Sequence, residues 1–429
     1  MTSVRNRLLL SSGNKWLLPV TIGMLLAACS PKVRPVVTAP KPVDTIVKKP
    51  VVVKITPPQP PPAAVISLLL PFYLDELNLS KGAPKAGLSK ADLALQYYQG
   101  FKLALDSLTE KGENFKLQVF DTRDATAQSH NLALTTKVRT SALVIGPIYP
   151  EEVKSFTQAT VNMHKMLVSP LSPASPADYK NPDLVTVIPP LKYHCETVAR
   201  YITDKLKAKK VFVLKSGYSD DNKYSIPFDR AIDSISKKRV KIVEVTILRG
   251  NLSALLPQLS TTEQNIFVIP ATDQQFVQVT TQALDKLAKQ HYPVTLFGHP
   301  NWEDATYLKA DLMQRLNTFI TSGDRVNYHA ARTIKFLKAF RKAYRSEPGE
   351  YAIKAFDEGM YFGQMAANYA KQGAANKQSP LMPAKAVISN QGFEALHNTF
   401  HFTEVPGQGF VNTHVKLYQY ANFELKPVE

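Results

Sequence analysis

From residue 64 onward, short apolar runs alternate with longer stretches in which apolar residues recur every three or four positions. Short runs bounded by turn residues are typical of buried strands, and the longer period is typical of amphipathic helices. Ser89 and Asp92 form a capping-box pattern that predicts the start of the first helix. Strands are predicted at 65–72, 115–121, 141–147 and 166–170, and helices at 89–108, 124–138 and 151–164.

A second series of the same kind begins after Pro189 and Pro190. It ends in a β segment in which Gly407 and Gly409 predict a hairpin. Strands are predicted at 209–216, 240–248, 264–271, 292–300 and 316–323, and helices around Cys195, at 221–236, through Lys289, at 330–345 and at 351–371. The alternation predicts an α/β fold of two lobes with parallel sheets flanked by helices, and ligands bind such sheets at the carboxyl ends of the strands.

The first 28 residues have the pattern of an export signal. Arg5, Arg7 and Lys15 precede an apolar run at 16–28, which is too short for the ~20 residues of a membrane span. The run ends in Leu-Ala-Ala-Cys at 26–29, which resembles the lipobox of bacterial lipoproteins. The resemblance implies cleavage before Cys29 and attachment of lipid to its thiol, which anchors the mature chain to a bilayer. The alternative is a secretory signal followed by a chance cysteine.

Residues 29–64, the lipidated cysteine and a linker, are rich in proline and contain no glycine. Proline favours the extended polyproline II conformation at ~3.1 Å per residue, so the linker can reach on the order of 100 Å. Nine basic residues and a single acidic residue, Asp44, precede residue 64, so the remainder carries only part of the net charge of +17. Export and this distribution argue against nucleic acid as a partner.

Signs of an enzyme are missing from the sequence. It has no Gly-x-Ser-x-Gly, His-Glu-x-x-His, Gly-x4-Gly-Lys or Cys-x-x-Cys motif, and its histidines are scattered without metal-ligand spacing. Cys195 follows His194 on a predicted helix, where adjacent side chains point about 100° apart. Cys195 is therefore interpreted as a buried small apolar residue. We expect no catalytic residue, no metal and no cofactor.

The order of the elements and several motifs resemble the type I periplasmic-binding fold of leucine-binding receptors, over residues 65–429. The motifs include YYQGFKLALDSL (97–108), LQVFDTRD (117–124), ALVIGPIYP (142–150) and LVSPLSPAS (167–175), followed by a late helix pair and a closing β segment. The resemblance implies two lobes, three crossovers and a ligand cleft that closes by hinge motion. It places 65–187 and 298–395 in the first lobe, and 188–297 and 396–429 in the second.

The resemblance also implies a set of ligand-binding residues. In such receptors, hydroxyl and N–H groups of the first lobe hold a ligand carboxylate, and a tyrosine and an acid of the second lobe meet its ammonium group. Pro173 and Ile148 stand where relatives carry a threonine and a serine, which weakens the expectation of an amino-acid ligand. For each candidate the alternative is loop packing or a helix cap. The candidates are Phe72, Tyr73, Tyr149, Ser169, Ser172, Tyr218, Asp273 and Trp302.

Two functions are compatible with the sequence. The first, slightly favoured by the fold, is a tethered solute-binding protein that captures a small polar ligand, such as an amino acid, peptide or muropeptide, for a transporter or a sensor. The second is a module without enzymatic activity that resembles the penicillin-binding-protein activators, which are outer-membrane lipoproteins that contact a peptidoglycan synthase. The long linker favours the second. Ser30, in place of the aspartate that retains lipoproteins at the inner membrane, favours the outer membrane.

Overall fold

The computed structural model describes residues 61–75, 85–376 and 381–428. The predicted signal peptide, Cys29 and most of the linker lie outside the described residues, and they stay predictions. In the described part of the chain, no helix combines the length and apolar character that a membrane span requires.

Strands in the described residues form two sheets of seven, and a short pair completes the β structure. The first sheet has the order β13-β14-β5-β4-β3-β1-β2, and the second has the order β16-β15-β10-β9-β8-β6-β7. The strands are β1 (Ala64–Leu70), β2 (Phe115–Asp121), β3 (Leu143–Ile145), β4 (Leu167–Ser169), β5 (Leu184–Thr186), β6 (Lys210–Lys215), β7 (Lys241–Thr246), β8 (Asn265–Ile269), β9 (Val294–Gly298), β10 (Thr318–Ser322), β11 (Phe393–Glu394), β12 (Thr399–Phe400), β13 (Phe402–Val405), β14 (Gly409–Asn412), β15 (Lys416–Ala421) and β16 (Glu424–Pro427).

Each sheet has parallel strands at its centre and an antiparallel pair at one edge. In the first sheet, β1 pairs in parallel with β2 and β3, while β13 and β14 form the predicted hairpin around Gly407 and Gly409. In the second sheet, β15 runs antiparallel to β10 and to β16. The expected two-lobed α/β fold with mostly parallel sheets is confirmed.

The assignment of segments to lobes was wrong in two places. β10, expected in the first lobe, pairs with β9 and β15 of the second sheet. The hairpin of β13 and β14, expected in the second lobe, joins the first sheet through β5. An apolar run shows that a strand is buried but not which sheet supplies its hydrogen-bond partner, because that partner is distant in sequence. The chain therefore re-enters the first lobe after β10 and the second lobe after β14.

Helices cover both sheets, and most lie where the apolar period predicts them. The first begins at residue 85, before the predicted cap at Ser89, and the predicted helix at 124–138 is divided at Thr135, whose backbone is extended. The helices are α1 (Lys85–Thr109), α2 (Thr126–Leu134), α3 (Thr136–Arg139), α4 (Pro150–Thr160), α5 (Leu191–Arg200), α6 (Asn222–Ser236), α7 (Gln274–Lys289), α8 (Ala310–Arg315), α9 (Ala331–Tyr344), α10 (Glu350–Asn376) and α11 (Ala384–Val387).

Helices α1 and α10 pack closely along a row of small residues. A Cβ atom built on Gly100 would lie 2.0 Å from the carbonyl oxygen of Ala352, and one on Gly359 would lie 2.6 Å from the Cβ of Ala104. Glycine at these positions lets the two backbones approach, and large apolar side chains such as Phe101 and Phe362 fill the space toward the first sheet. Gly100, the glycine of the first predicted helix, therefore allows this close packing.

The chain passes between the lobes three times within the described residues, at 187–190, 323–330 and 413–415. The lobes belong to one compact unit, Gln59–Glu429. At the first two crossovers the chains touch, since a Cβ on Gly323 would lie 3.1 Å from the Cγ of Pro189. These crossovers form the base of the space between the lobes.

Candidate ligand-binding cleft

The loops after parallel strands meet at one edge of each sheet, and such edges are where α/β folds bind ligands. In the first sheet, the neighbouring strands β3, β1 and β2 bring together the loops at 146–149, 71–75 and 122–125. In the second sheet, the loops after β7, β6 and β8 meet in the same way. In a two-lobed fold these edges face each other across the interlobe cleft, which is therefore the candidate site.

Asp121, the last residue of β2, holds two of the first-lobe loops together. Its Oδ1 accepts hydrogen bonds from the backbone nitrogens of Phe72 (2.9 Å), Tyr73 (3.2 Å) and Arg123 (3.0 Å). Its Oδ2 accepts one from the backbone nitrogen of Leu74 at 2.9 Å. Hydrogen bonds to an ionised group are among the strong ones, so this carboxylate fixes the position of both loops.

Two of the predicted aromatic residues meet at this edge. The Tyr73 hydroxyl lies 3.2 Å from Oδ2 of Asp124 and is also hydrogen-bonded to Tyr149. Burial and the neighbouring Tyr149 and Asp124 raise the pKa of Tyr73, so its phenol stays protonated. Phe72 instead packs edge-on against Tyr98, with ring centroids 6.4 Å apart. The structure thus joins Tyr73 and Tyr149, and places Phe72 beside the core of the first lobe.

The predicted serines of the first lobe are directed into the protein. Ser169 is buried at the end of β4, and its hydroxyl has no hydrogen-bond partner among the described residues. Ser172 is also buried, accepts a hydrogen bond from the nitrogen of Ala174 at 3.3 Å and interacts with the phenol of Tyr179. In this structure neither hydroxyl is presented to the cleft.

The second-lobe candidates do not come together. Asp273 caps α7 by accepting a hydrogen bond from the nitrogen of Phe276 at 2.8 Å. Trp302 is buried among the residues of the second core, and its Nε1 donates to the carbonyl oxygen of Ala271 at 3.0 Å. Trp302 also lies before β10 and is therefore not at a crossover. Tyr218 follows β6 and is exposed. Of the three, Trp302 is buried, Asp273 is exposed but engaged as a helix cap, and Tyr218 presents its ring to solvent.

Exposed apolar side chains lie at the carboxyl edges of both lobes. Leu74 follows β1 and is 61% exposed, Tyr218 is 66% exposed, and Leu248, after β7, is 71% exposed. Single exposed apolar residues are common on protein surfaces, whereas exposed apolar patches indicate interaction sites. These three side chains therefore make the loops at the carboxyl edges of the sheets candidates for an interaction surface.

A partly buried ion pair connects the first lobe to the second crossover. The Nζ of Lys354, on α10, lies 2.7 Å from Asp324 and 3.1 Å from Glu350. Burial opposes the charge on Lys354, but the two carboxylates outweigh it and raise the pKa of the ammonium group. In the second lobe, Nδ1 of His194 lies 3.0 Å from Oγ1 of Thr321, and burial lowers the pKa of His194 to about 4. The base of the cleft is thus held by charged and polar contacts.

A fully buried pair, Asp357 and His397, lies close by. Oδ2 of Asp357 accepts hydrogen bonds from the backbone nitrogens of Leu396 (2.8 Å) and His397 (3.0 Å), and it lies 2.5 Å from Nδ1 of His397. His397 also lines a groove of about 1000 Å³ together with Arg325 and Lys416. Asp357 therefore fixes the loop that forms one wall of this groove.

Sequence reasoning missed Asp121 and Asp124, although both lie in the quoted motif LQVFDTRD. The only available signal was their position directly after a predicted strand. Sequence reasoning correctly placed Cys195 in the interior: the residue is buried, and burial raises the pKa of its thiol. No group of three or more metal-ligating side chains occurs in the part of the chain that the structure describes.

No known protein-family profile matches the chain, and no curated protein sequence matches it. An ABC transporter substrate-binding protein from Desulfitobacterium hafniense in complex with Leu is similar in structure, with a TM-score of 0.54 and 16% identity over 85% of this chain and 100% of that one. A protein described as a branched-chain amino acid ABC transporter from Rhodospirillum rubrum has a TM-score of 0.63 and 12% identity over the same shares.

Full-length LpoA from Haemophilus influenzae is also similar, with a TM-score of 0.55 and 13% identity over 86% of this chain and 60% of that longer chain. Identities this low establish the fold and leave the ligand open. With its two seven-stranded sheets and three crossovers, the described part of the chain has the type I periplasmic-binding fold.

Proposed function

We propose that this protein is a non-catalytic module of the bacterial cell envelope that binds a protein partner across the mouth of its cleft. The observation that carries the proposal is that several of the predicted ligand-binding side chains make contacts within the protein instead. Ser172 interacts with Ala174 and Tyr179, Asp273 caps a helix, and Trp302 is buried. A free amino acid therefore finds few donors for its carboxylate in this conformation.

The charge of the first-lobe edge supports the same proposal. Asp124 is exposed in the loop after β2, and its negative charge disfavours a ligand carboxylate at close range. The exposed side chains of Leu74, Tyr218 and Leu248 supply apolar area of the kind that protein interfaces bury. By resemblance to the penicillin-binding-protein activators, the partner we propose is a peptidoglycan synthase.

Capture of a small solute is the second candidate. The chain covers the full length of the Desulfitobacterium and Rhodospirillum proteins but only 60% of LpoA. The described part of the chain therefore matches the extent of a two-lobed solute receptor. The hydroxyl of Ser169 also lacks a partner among the described residues and is free to hold a ligand if the loop moves. The experiment below separates the two candidates.

For the amino-acid screen, we expect no change in thermal unfolding when each common amino acid other than lysine is added to the full chain; lysine is left out because its side-chain ammonium group is tested separately below. A receptor at 100 times its Kd gains ~2.7 kcal/mol, which is a clear shift. The screen is made at millimolar concentration, well above the Kd of a micromolar receptor. A shift with any free amino acid would favour solute capture over our proposal.

The positive arm of this experiment measures binding of the full chain to the peptidoglycan synthase of the same bacterium. Replacing Tyr218 with Ala should weaken binding at least ~10-fold, because tyrosines at the centre of interfaces often dominate affinity. Tyr328→Ala is the matched control, since Tyr328 is similarly exposed, at 57%, but lies within the second crossover and not in the loop after β6. Equal effects of the two changes would contradict a binding surface at the cleft mouth.

Anchoring through lipid on Cys29 is part of the proposal and rests on the lipobox resemblance. We expect the mature chain from cell membranes to begin at Cys29 and to carry the mass of a diacylglyceryl group and a further acyl chain. Intact-mass spectrometry checks this directly. A mature chain that begins elsewhere, or an unmodified Cys29, would contradict the anchor and leave the binding proposal to be judged by its own experiment.

A further inference from the structure

The first-lobe edge of the cleft contains a carboxylate surrounded by phenols. Tyr73, Asp124 and Tyr149 come from the loops after three neighbouring strands, β1, β2 and β3, and their side chains form one hydrogen-bonded group. Tyr73 is 3% exposed, Tyr149 is partly buried and Asp124 is exposed. The carboxylate is therefore the solvent-facing end of the group.

The carboxylate of Asp124 is left without an ion pair at this edge, in contrast to its neighbours in the same loops. Arg123 is paired with Asp75 at 2.6 Å, and both oxygens of Asp121 accept backbone N–H groups. Burial raises the pKa of Glu152, which favours its neutral form. Asp124 makes no ion pair with any Lys or Arg in the described ranges. The group thus presents a carboxylate to solvent at the carboxyl edge of the first sheet.

The backbone holds this group in a costly conformation. Tyr73, Arg123 and Asp124 have positive φ values of 54°, 58° and 50°, respectively. Each such residue costs on the order of 1 kcal/mol, and these residues tend to persist only where the surrounding structure fixes them. Asp121 fixes these loops by accepting hydrogen bonds from four backbone N–H groups. Asp124 and the two phenols are therefore positioned before any partner arrives, which lowers the entropy lost on binding.

We propose that Asp124, together with Tyr149, binds the ammonium group of a lysine side chain on the protein partner, while the buried Tyr73 holds Asp124 in position; this inference rests on the proposed function. An ammonium group has three donors and a compact charge, which match the carboxylate oxygens of Asp124 and the neighbouring phenol oxygen of Tyr149. Aromatic rings add attraction for a cation. The exposed Leu74 beside this group favours a side chain carried by a protein surface over a small free amine.

The test uses the full chain and Nα-acetyl-lysine N-methylamide as the probe, with its Nε-acetylated form as the neutral comparison. Binding is followed by saturation-transfer NMR of the probe. We expect saturable binding of the charged probe and at least ~5-fold weaker binding of the neutral one. Asp124→Asn should weaken binding of the charged probe by a similar factor, and Tyr149→Phe by ~2-fold. Equal binding of the two probes, or an unchanged affinity in Asp124→Asn, would overturn the inference.

The control is Glu110→Gln, which removes an exposed carboxylate at the far end of α1 and should leave probe binding unchanged. Unfolding midpoints of all variants establish that they are folded. One outcome would separate the two proposals. If the synthase binds and Tyr218→Ala weakens that binding, but Asp124→Asn changes the binding of neither the probe nor the synthase, the lysine site is wrong and the proposed function stands. If the probe binds as expected but no synthase does, the proposed function falls. A peptidoglycan peptide with a free amine is the competing ligand. If it bound more tightly than the lysine probe, the proposal that the ammonium group belongs to a protein partner would be overturned.

Discussion

Replacement of Gly100 with Ala is expected to destabilise the protein by about 3 kcal/mol. The added methyl group would lie 2.0 Å from the carbonyl oxygen of Ala352, which is far inside van der Waals contact. Backbone atoms cannot rotate away as a side chain can, so α1 and α10 must separate and lose contacts in the first core. Overpacking of this kind costs ~1–3 kcal/mol or more, and it outweighs the gain of about 1 kcal/mol in helix propensity.

The matched control is Gly373→Ala on α10, where an added Cβ would meet no atom within 4 Å. There only the helix propensity changes, so stability should rise by up to ~1 kcal/mol. Equilibrium unfolding in urea measures both variants against the parent chain. If both substitutions were stabilising, the close approach of the two helices would be wrong.

The second large effect is expected for Asp357→Ala, with a loss of about 3–5 kcal/mol. Asp357 is 2% exposed and accepts hydrogen bonds from two backbone N–H groups and the ring of His397. Removing one partner of a buried charged contact leaves the others without compensation, and this is the costly way to break it. Asp357→Asn, which keeps an acceptor oxygen, should lose less.

An exposed aspartate provides the comparison for Asp357. Asp106 pairs with Lys102 at 2.5 Å, but both side chains are about half exposed. Surface pairs one helical turn apart contribute only ~0.3–0.5 kcal/mol, so Asp106→Ala should change the free energy of unfolding by no more than that. Urea unfolding at constant ionic strength compares the two. Similar losses at both positions would show that Asp357 is not a buried anchor.

Most elements of this fold follow from local sequence pattern. Helix α9 at Ala331–Tyr344 and strand β1 at Ala64–Leu70 lie within two residues of their predicted bounds, because apolar period is a property of neighbouring residues. The sheet to which β10 belongs was assigned wrongly, since its partner β15 lies about a hundred residues later. Pairing across such distances is not visible in the periodicity of either segment.

The candidate site was less predictable than the fold. Asp124 was taken as the start of a helix at 124–138, but the positive φ values of Arg123 and Asp124 delay the helix to Thr126. That delay turns Asp124 into a loop residue beside Tyr73. Likewise, the contact between Asp324 and Lys354 joins two segments that sequence reasoning considered separately. Side-chain proximity of this kind depends on backbone geometry that residue types alone do not specify.

The three crossovers have a consequence for how this molecule can be divided. Each sheet contains strands from both early and late parts of the chain, so no single proteolytic cut releases an intact half. A fragment that stops before residue 400 would lack an edge of both sheets at once, and its exposed strand edges would be open to aggregation. The two halves must therefore fold and be degraded together.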